Sequence, residues 1–195
     1  MVAKFSSLSA ALLCVMLLAS CASAPSPGGR VDDYASVRVA AGVTRDFQRS
    51  LEYLRAQDYA EAIELLQSVV DREQRLPAPY VNLGIAYYKS GQRENAQEAF
   101  LRALEIEPQH PVATNELAVL YRKQGEFEQA RSLYVSALAK HPDYGPLIKN
   151  LGILCDLYLQ DVPCALAQFQ HYLQLQPEDK DVTIWVADLN RRAGQ

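Results

Sequence analysis

The sequence lacks an apolar run long enough to cross a bilayer. Its most hydrophobic stretch, Leu8 to Ala19, is broken only by Ser9 and holds about a dozen residues where roughly 20 are needed. The chain also lacks a positive excess: 19 lysines and arginines stand against 23 aspartates and glutamates, a formal charge of −4. Nucleic-acid binding needs a concentrated cationic stripe or arm, so it is not expected here. Catalytic signatures are missing too, with no H-E-x-x-H, no G-x-S-x-G and no glycine-rich loop closed by G-K-S/T. Of only three histidines, His110 and His141 each stand directly before a proline, and His171 follows Cys164 by seven residues with no third group to orient the pair. The chain is therefore not expected to be an enzyme or to take a metal, a cofactor or a small-molecule substrate.

The short apolar run has the layout of a secretory leader: a basic residue, Lys4, then the hydrophobic stretch, then small side chains. The alternative, a buried first helix, is opposed by the segment that follows, "ASAPSPGGR" from Ala22 to Arg30, which would disconnect such a helix from any core. At the junction stand Leu18, Ala19, Ser20 and Cys21, which resemble the lipobox of bacterial lipoproteins. The resemblance implies that residues 1–20 are removed and that Cys21 receives a diacylglycerol and a further acyl chain. One chain gives marginal attachment, whereas two or three hold a protein stably on a leaflet. Ala22 and Ser23 after the cysteine, in place of aspartate, imply an outer-membrane destination in an envelope with two membranes, with the folded part facing the periplasm. Residues 21–42 then form the lipidated cysteine and its tether. The nine-residue piece Ala22 to Arg30 reaches roughly 15–18 Å, and Val31 to Gly42 reads either as an extra helix or as an ordered linker.

Beyond the tether the chain repeats itself. Gly91 recurs as Gly125, Ala96 as Ala130, Ala103 as Ala137 and Pro108 as Pro142, each displaced by 34 positions. One segment carries Tyr80, Leu83, Gly84, Tyr87, Ala96, Phe100 and Pro108, and the next carries Thr114, Leu117, Ala118, Tyr121, Ala130, Tyr134 and Pro142. Both resemble the tetratricopeptide repeat in period and in the placing of small and large residues. Weaker copies flank them, one without its closing proline and one with an extra residue in "LQDVPC" and no glycine there. The expected architecture is all-α. Four helical hairpins (43–76, 77–110, 111–144 and 145–179) stack into a right-handed superhelix, and residues 180–195 form a capping helix with Val182, Trp185, Val186 and Leu189 on one face.

Function is sought in what the fold leaves over. From the family's geometry the concave wall is lined by the first helix of each hairpin. Its groove-facing residues would be Phe47, Leu51 and Leu54, then Val81, Asn82, Ile85, Tyr88 and Lys89. Asn115, Val119, Arg122 and Lys123 follow, and finally Lys149, Asn150, Ile153 and Asp156. Such a wall has an apolar floor and a basic rim, suited to an extended segment or helix of a protein partner. The competing reading of Ile85, Val119 and Ile153 is contact with neighbouring helices or with the capping helix. Cys14 leaves with the leader and Cys21 is acylated, so Cys155 and Cys164 remain. They fall on facing helices of the fourth hairpin, where a disulfide and two buried thiols are both open. The function this points to is a membrane-anchored adaptor that recruits another envelope protein. Similar-looking lipoproteins serve pilus, secretion or energy-transducing assemblies or regulate peptidoglycan hydrolases and proteases. A self-associating structural role is the second reading.

Overall fold

The computed structural model describes residues 39–194; the readings on the leader, on Cys21 and on most of the tether lie outside them. The described residues form helices and turns, without strands. In chain order the helices are α1 (Ala41–Ala56), α2 (Tyr59–Arg72), α3 (Pro77–Lys89), α4 (Arg93–Ile106), α5 (Pro111–Gln124), α6 (Phe127–Lys140), α7 (Gly145–Leu157), α8 (Val162–Leu175) and α9 (Lys180–Ala193). α1 begins inside the stretch read as tether, and Val39 packs against the core. Each odd helix pairs with the even helix after it, each even helix packs on the next odd one, and α9 closes the stack against α8.

Sequence chemistry sets the element boundaries. Pro77, Pro111, Pro146 and Pro163 sit in the first turns of α3, α5, α7 and α8, where a missing N–H costs least. Asp161 and Asp179 cap α8 and α9, their carboxylates accepting from the backbone N–H of Cys164 and Val182. Within the two central hairpins the chain turns at Gly91 and Gly125, both at φ +86°, a conformation glycine adopts without steric cost. In the outer hairpins glutamine takes that place, Gln57 at φ +64° and Gln160 at φ +54°.

Packing within the hairpins follows one rule. In the second, third and fourth hairpins a small residue on the first helix receives an aromatic ring from the second, whereas Leu66 holds the ring's place in the first hairpin. A Cβ built on Gly84 would lie 2.5 Å from the Phe100 ring, and one on Gly152 would lie 2.5 Å from the Phe169 ring. Ala118 and Tyr134 stand at the corresponding positions of the third hairpin, both fully buried. The rings then fill the space beside the following hairpin, Phe100 with Leu117 and Leu120, and Tyr134 with Leu147, Leu151 and Leu154. All buried members of the three hydrophobic clusters lie between Val43 and Leu189, so a chain begun at Ala22 keeps every one of them. No described helix is long and apolar enough to cross a membrane.

Candidate functional site

The odd helices carry the candidate groove residues in rows displaced by 34 positions. Burial divides the rows sharply. Val81 and Asn115 are only 3 % and 7 % exposed, so they are interior residues more than lining. Asn115 is held by its neighbours: its Oδ1 accepts from Asn150 Nδ2 at 2.9 Å, and its own Nδ2 donates to Glu116 Oε1 at 3.0 Å. Asn82 turns its Nδ2 back to the Ala78 carbonyl at 2.8 Å. Ile85 and Ile153 are half-buried and pack against the hydrophobic clusters, as the contact reading of these residues foresaw, yet both keep exposed surface, as Val119 does.

The basic members also separate into two groups. Lys149 is engaged within the fold, donating to Asp179 Oδ2 at 2.8 Å with its ammonium 5.2 Å from the Tyr172 ring centroid and 5.4 Å from that of Trp185. Tyr172 Oη donates to the same carboxylate oxygen at 3.2 Å. Partial burial works against the Lys149 charge, but the bond to Asp179 and the field of the neighbouring acidic groups outweigh it and raise its pKa. The Lys149 hydrogen bond, with the donated N–H of Val182, holds the Asp179 carboxyl below its ordinary value. Asp156 in turn is paired with Arg192 of α9. The capping helix thus covers part of the fourth hairpin's share of the wall. Arg122 lies over the Tyr158 ring at 5.5 Å and Lys123 over Tyr88 at 5.1 Å.

The basic rim expected from Lys89 and Lys123 extends to Arg55, which the sequence reading did not name. Arg55, Lys89 and Lys123 stand 34 residues apart, at the last turns of α1, α3 and α5. All three are exposed, and among the described residues none of the three is in an ion pair. The 34-residue displacement was the available signal, since it relates Arg55 to Lys89 as directly as Gly91 to Gly125. In the fourth hairpin the row continues as Leu157, which is 66 % exposed.

Cys155 and Cys164 are joined in a disulfide that ties α7 to α8. With Cys164 so engaged, the Cys164/His171 pair has no thiol, and His171 instead approaches Asp143 Oδ1 at 3.2 Å. His110 caps α5, accepting from the Ala113 N–H at 3.3 Å. Among the described residues no three His, Cys, Asp or Glu side chains gather as metal ligands would.

Residues 53–105 and 81–145 match family models described as tetratricopeptide repeat. No curated protein sequence matches the chain significantly. Among solved structures the fold is similar to MamA (residues 41 to the end) from Desulfovibrio magneticus RS-1, at 21 % identity and a TM-score of 0.69, covering 80 % of this chain and 88 % of that one. PilF of Pseudomonas aeruginosa is similar at 19 % identity and a TM-score of 0.70, covering 77 % and 68 %. A tetratricopeptide repeat protein from Parabacteroides merdae gives 22 % and 0.68, with 80 % and 61 % covered. The chain carries tetratricopeptide repeats, and its helical hairpins stack as a tetratricopeptide solenoid.

Proposed function

We propose that this protein is a lipid-anchored adaptor of the bacterial cell envelope, holding a segment of a partner protein against its concave wall. The observation that carries the reading is the pairing of a half-exposed aliphatic row, Ile85 and Val119, with the exposed cation row Arg55, Lys89 and Lys123. Among the described residues none of the three cations has a carboxylate partner, Lys123 lying over the Tyr88 ring instead, whereas Arg72, Arg75, Arg102, Arg131, Arg191 and Arg192 each pair with one. A protein segment with apolar and acidic side chains would meet both rows. The lipobox-like run ending at Cys21 supports attachment to a membrane, which for Ala22 and Ser23 at the following positions means the outer membrane of an envelope with two. Attachment confines the solenoid to a thin layer and so raises its effective concentration toward partners there.

Site-specific photocrosslinking in the native cell tests the binding face. A probe replacing Val119 on α5 is expected to capture a discrete partner that a probe at Val135, exposed on the outer helix α6, does not. Equal capture from both positions, or none from Val119, overturns the assignment. Anchoring is checked by Cys21→Ser, which should move the protein from the membrane fraction to the soluble one; unchanged fractionation would remove the lipid from the account.

A further inference from the structure

We infer that the segment held in this groove is acidic along its length and carries one bulky apolar side chain at the end that reaches α7. The inference rests on the groove reading and adds to it the chemistry of the ligand. It begins with Leu157. The rim row that supplies Arg55, Lys89 and Lys123 supplies a leucine in the fourth hairpin, and that leucine stays 66 % exposed. A leucine exposed to this degree contributes little to the core, and its place is set by what lies beside it.

Beside Leu157 the structure opens a cleft of about 230 Å³ lined by Ile153, Asp156, Leu157, Phe169 and Trp185. The one charged lining group, Asp156, is bonded to Arg192, which leaves the rest of the lining apolar. The volume limits what can enter. It exceeds the roughly 150 Å³ of a cavity that accepts benzene and falls short of the ~300–1,000 Å³ typical of small-molecule sites. A cleft of this size accepts one aromatic or large aliphatic side chain. Away from the cleft the same row turns cationic. Packed helices stand roughly 8–10 Å apart, and an extended chain advances about 3.3 Å per residue. Acidic residues about three positions apart would therefore meet Lys123, Lys89 and Arg55 in turn, with the apolar residue seated at the α7 end.

The test uses synthetic peptides with the chain begun at Ala22. The parent peptide carries one Phe followed by three Glu at every third position, with Ser and Gly between them, and it is made in both chain directions. One control replaces Phe by Ala and another replaces each Glu by Lys. Binding is read from the emission of Trp185, the single tryptophan, and from the anisotropy of a labelled peptide. One parent peptide is expected to bind and shift Trp185 emission, the Ala peptide to bind at least tenfold more weakly, and the Lys peptide not to bind. Leu157→Ser, at an exposed position the core does not use and without an added charge, should weaken the parent peptide to the level of the Ala peptide, and raising the salt should weaken both. Equal binding of the Phe and Ala peptides, or no effect of Leu157→Ser, overturns the apolar end. Absence of binding by either parent peptide overturns the inferred chemistry, and the groove reading then stands or falls separately on capture from Val119.

Discussion

Replacing Asp179 by alanine should release the capping helix while the rest of the solenoid stays folded. The carboxylate does two things at once: it caps α9 through Val182 N–H at 3.1 Å, and it accepts from Lys149 Nζ at 2.8 Å. Loss of a cap costs about 1 kcal/mol. The ion pair is 29 % exposed on the lysine side and 20 % on the aspartate side. At that exposure solvent screens the pair, and its contribution is at most about 1 kcal/mol. The sum, up to about 2 kcal/mol, corresponds to a rise of up to roughly 30-fold in the open population of α9. In a repeat protein such a loss stays local, because each unit contacts only its neighbours. Trp185 packs 5.4 Å from Phe169 and beside Lys149, so its fluorescence reports the docking of α9 directly. For Asp179→Ala, the fluorescence transition in urea should precede the helical one seen by circular dichroism. Amide exchange of residues 182–193 should accelerate by up to about 30-fold while α3 and α4 are unchanged. Asp179→Asn keeps the cap and loses the charge, so it should show about half the free-energy effect. The sign with pH follows from the shifts. Asp179 titrates lower in the folded protein, so its contribution is present above the unfolded carboxylate range near pH 4 and is lost as pH falls through the folded value. Lys149 titrates higher when folded, so its contribution is present below the unfolded lysine range and is lost as pH rises through the folded value. A single coincident transition, or a variant indistinguishable from the parent, would refute the two-part role of Asp179.

Removing both Cys155 and Cys164 as alanines should cost up to about 2.7 kcal/mol in the chain-entropy account of a loop of roughly ten residues. The loss should concentrate in α7 and α8, as exchange under reducing and non-reducing conditions would show. Gly152→Ala would drive a methyl into the Phe169 ring and should destabilise by about 1–3 kcal/mol, measured by urea unfolding; a neutral result would mean the ring can shift without cost. Gln160→Gly relieves a left-handed backbone and should stabilise by up to about 1 kcal/mol, whereas the same change at exposed Gln176, just past α8 at φ −135°, should not.

The hairpins were legible in the sequence because their packing is local. Gly84 needs a small side chain only because Phe100 sits on it, and the two lie 16 residues apart within one repeat. The concave wall was less legible because it forms between repeats. Val81 and Asn115 occupy positions that face the groove in a single hairpin, but stacking of successive odd helices buries them. Lys149 looks from the sequence like a cation for a partner, and its capture depends on Asp179, 30 residues later, which a reading by repeats leaves in the linker before α9. The extra residue in the fourth turn, by contrast, needed no glycine, since Gln160 takes the left-handed conformation there. The rim cations Lys89 and Lys123 were legible in the repeats, and Arg55 joins them through the same 34-residue displacement.

The central claim is that one continuous trough along the odd helices holds the partner. It is tested most directly by moving the crosslinking probe in the native cell through Leu51, Ile85 and Val119, with Leu101 and Val135 on the outer helices as controls. The account predicts one and the same partner adduct from all three inner positions and none from the outer two. Adducts confined to Leu101 and Val135 would place recognition on the outer surface and contradict it.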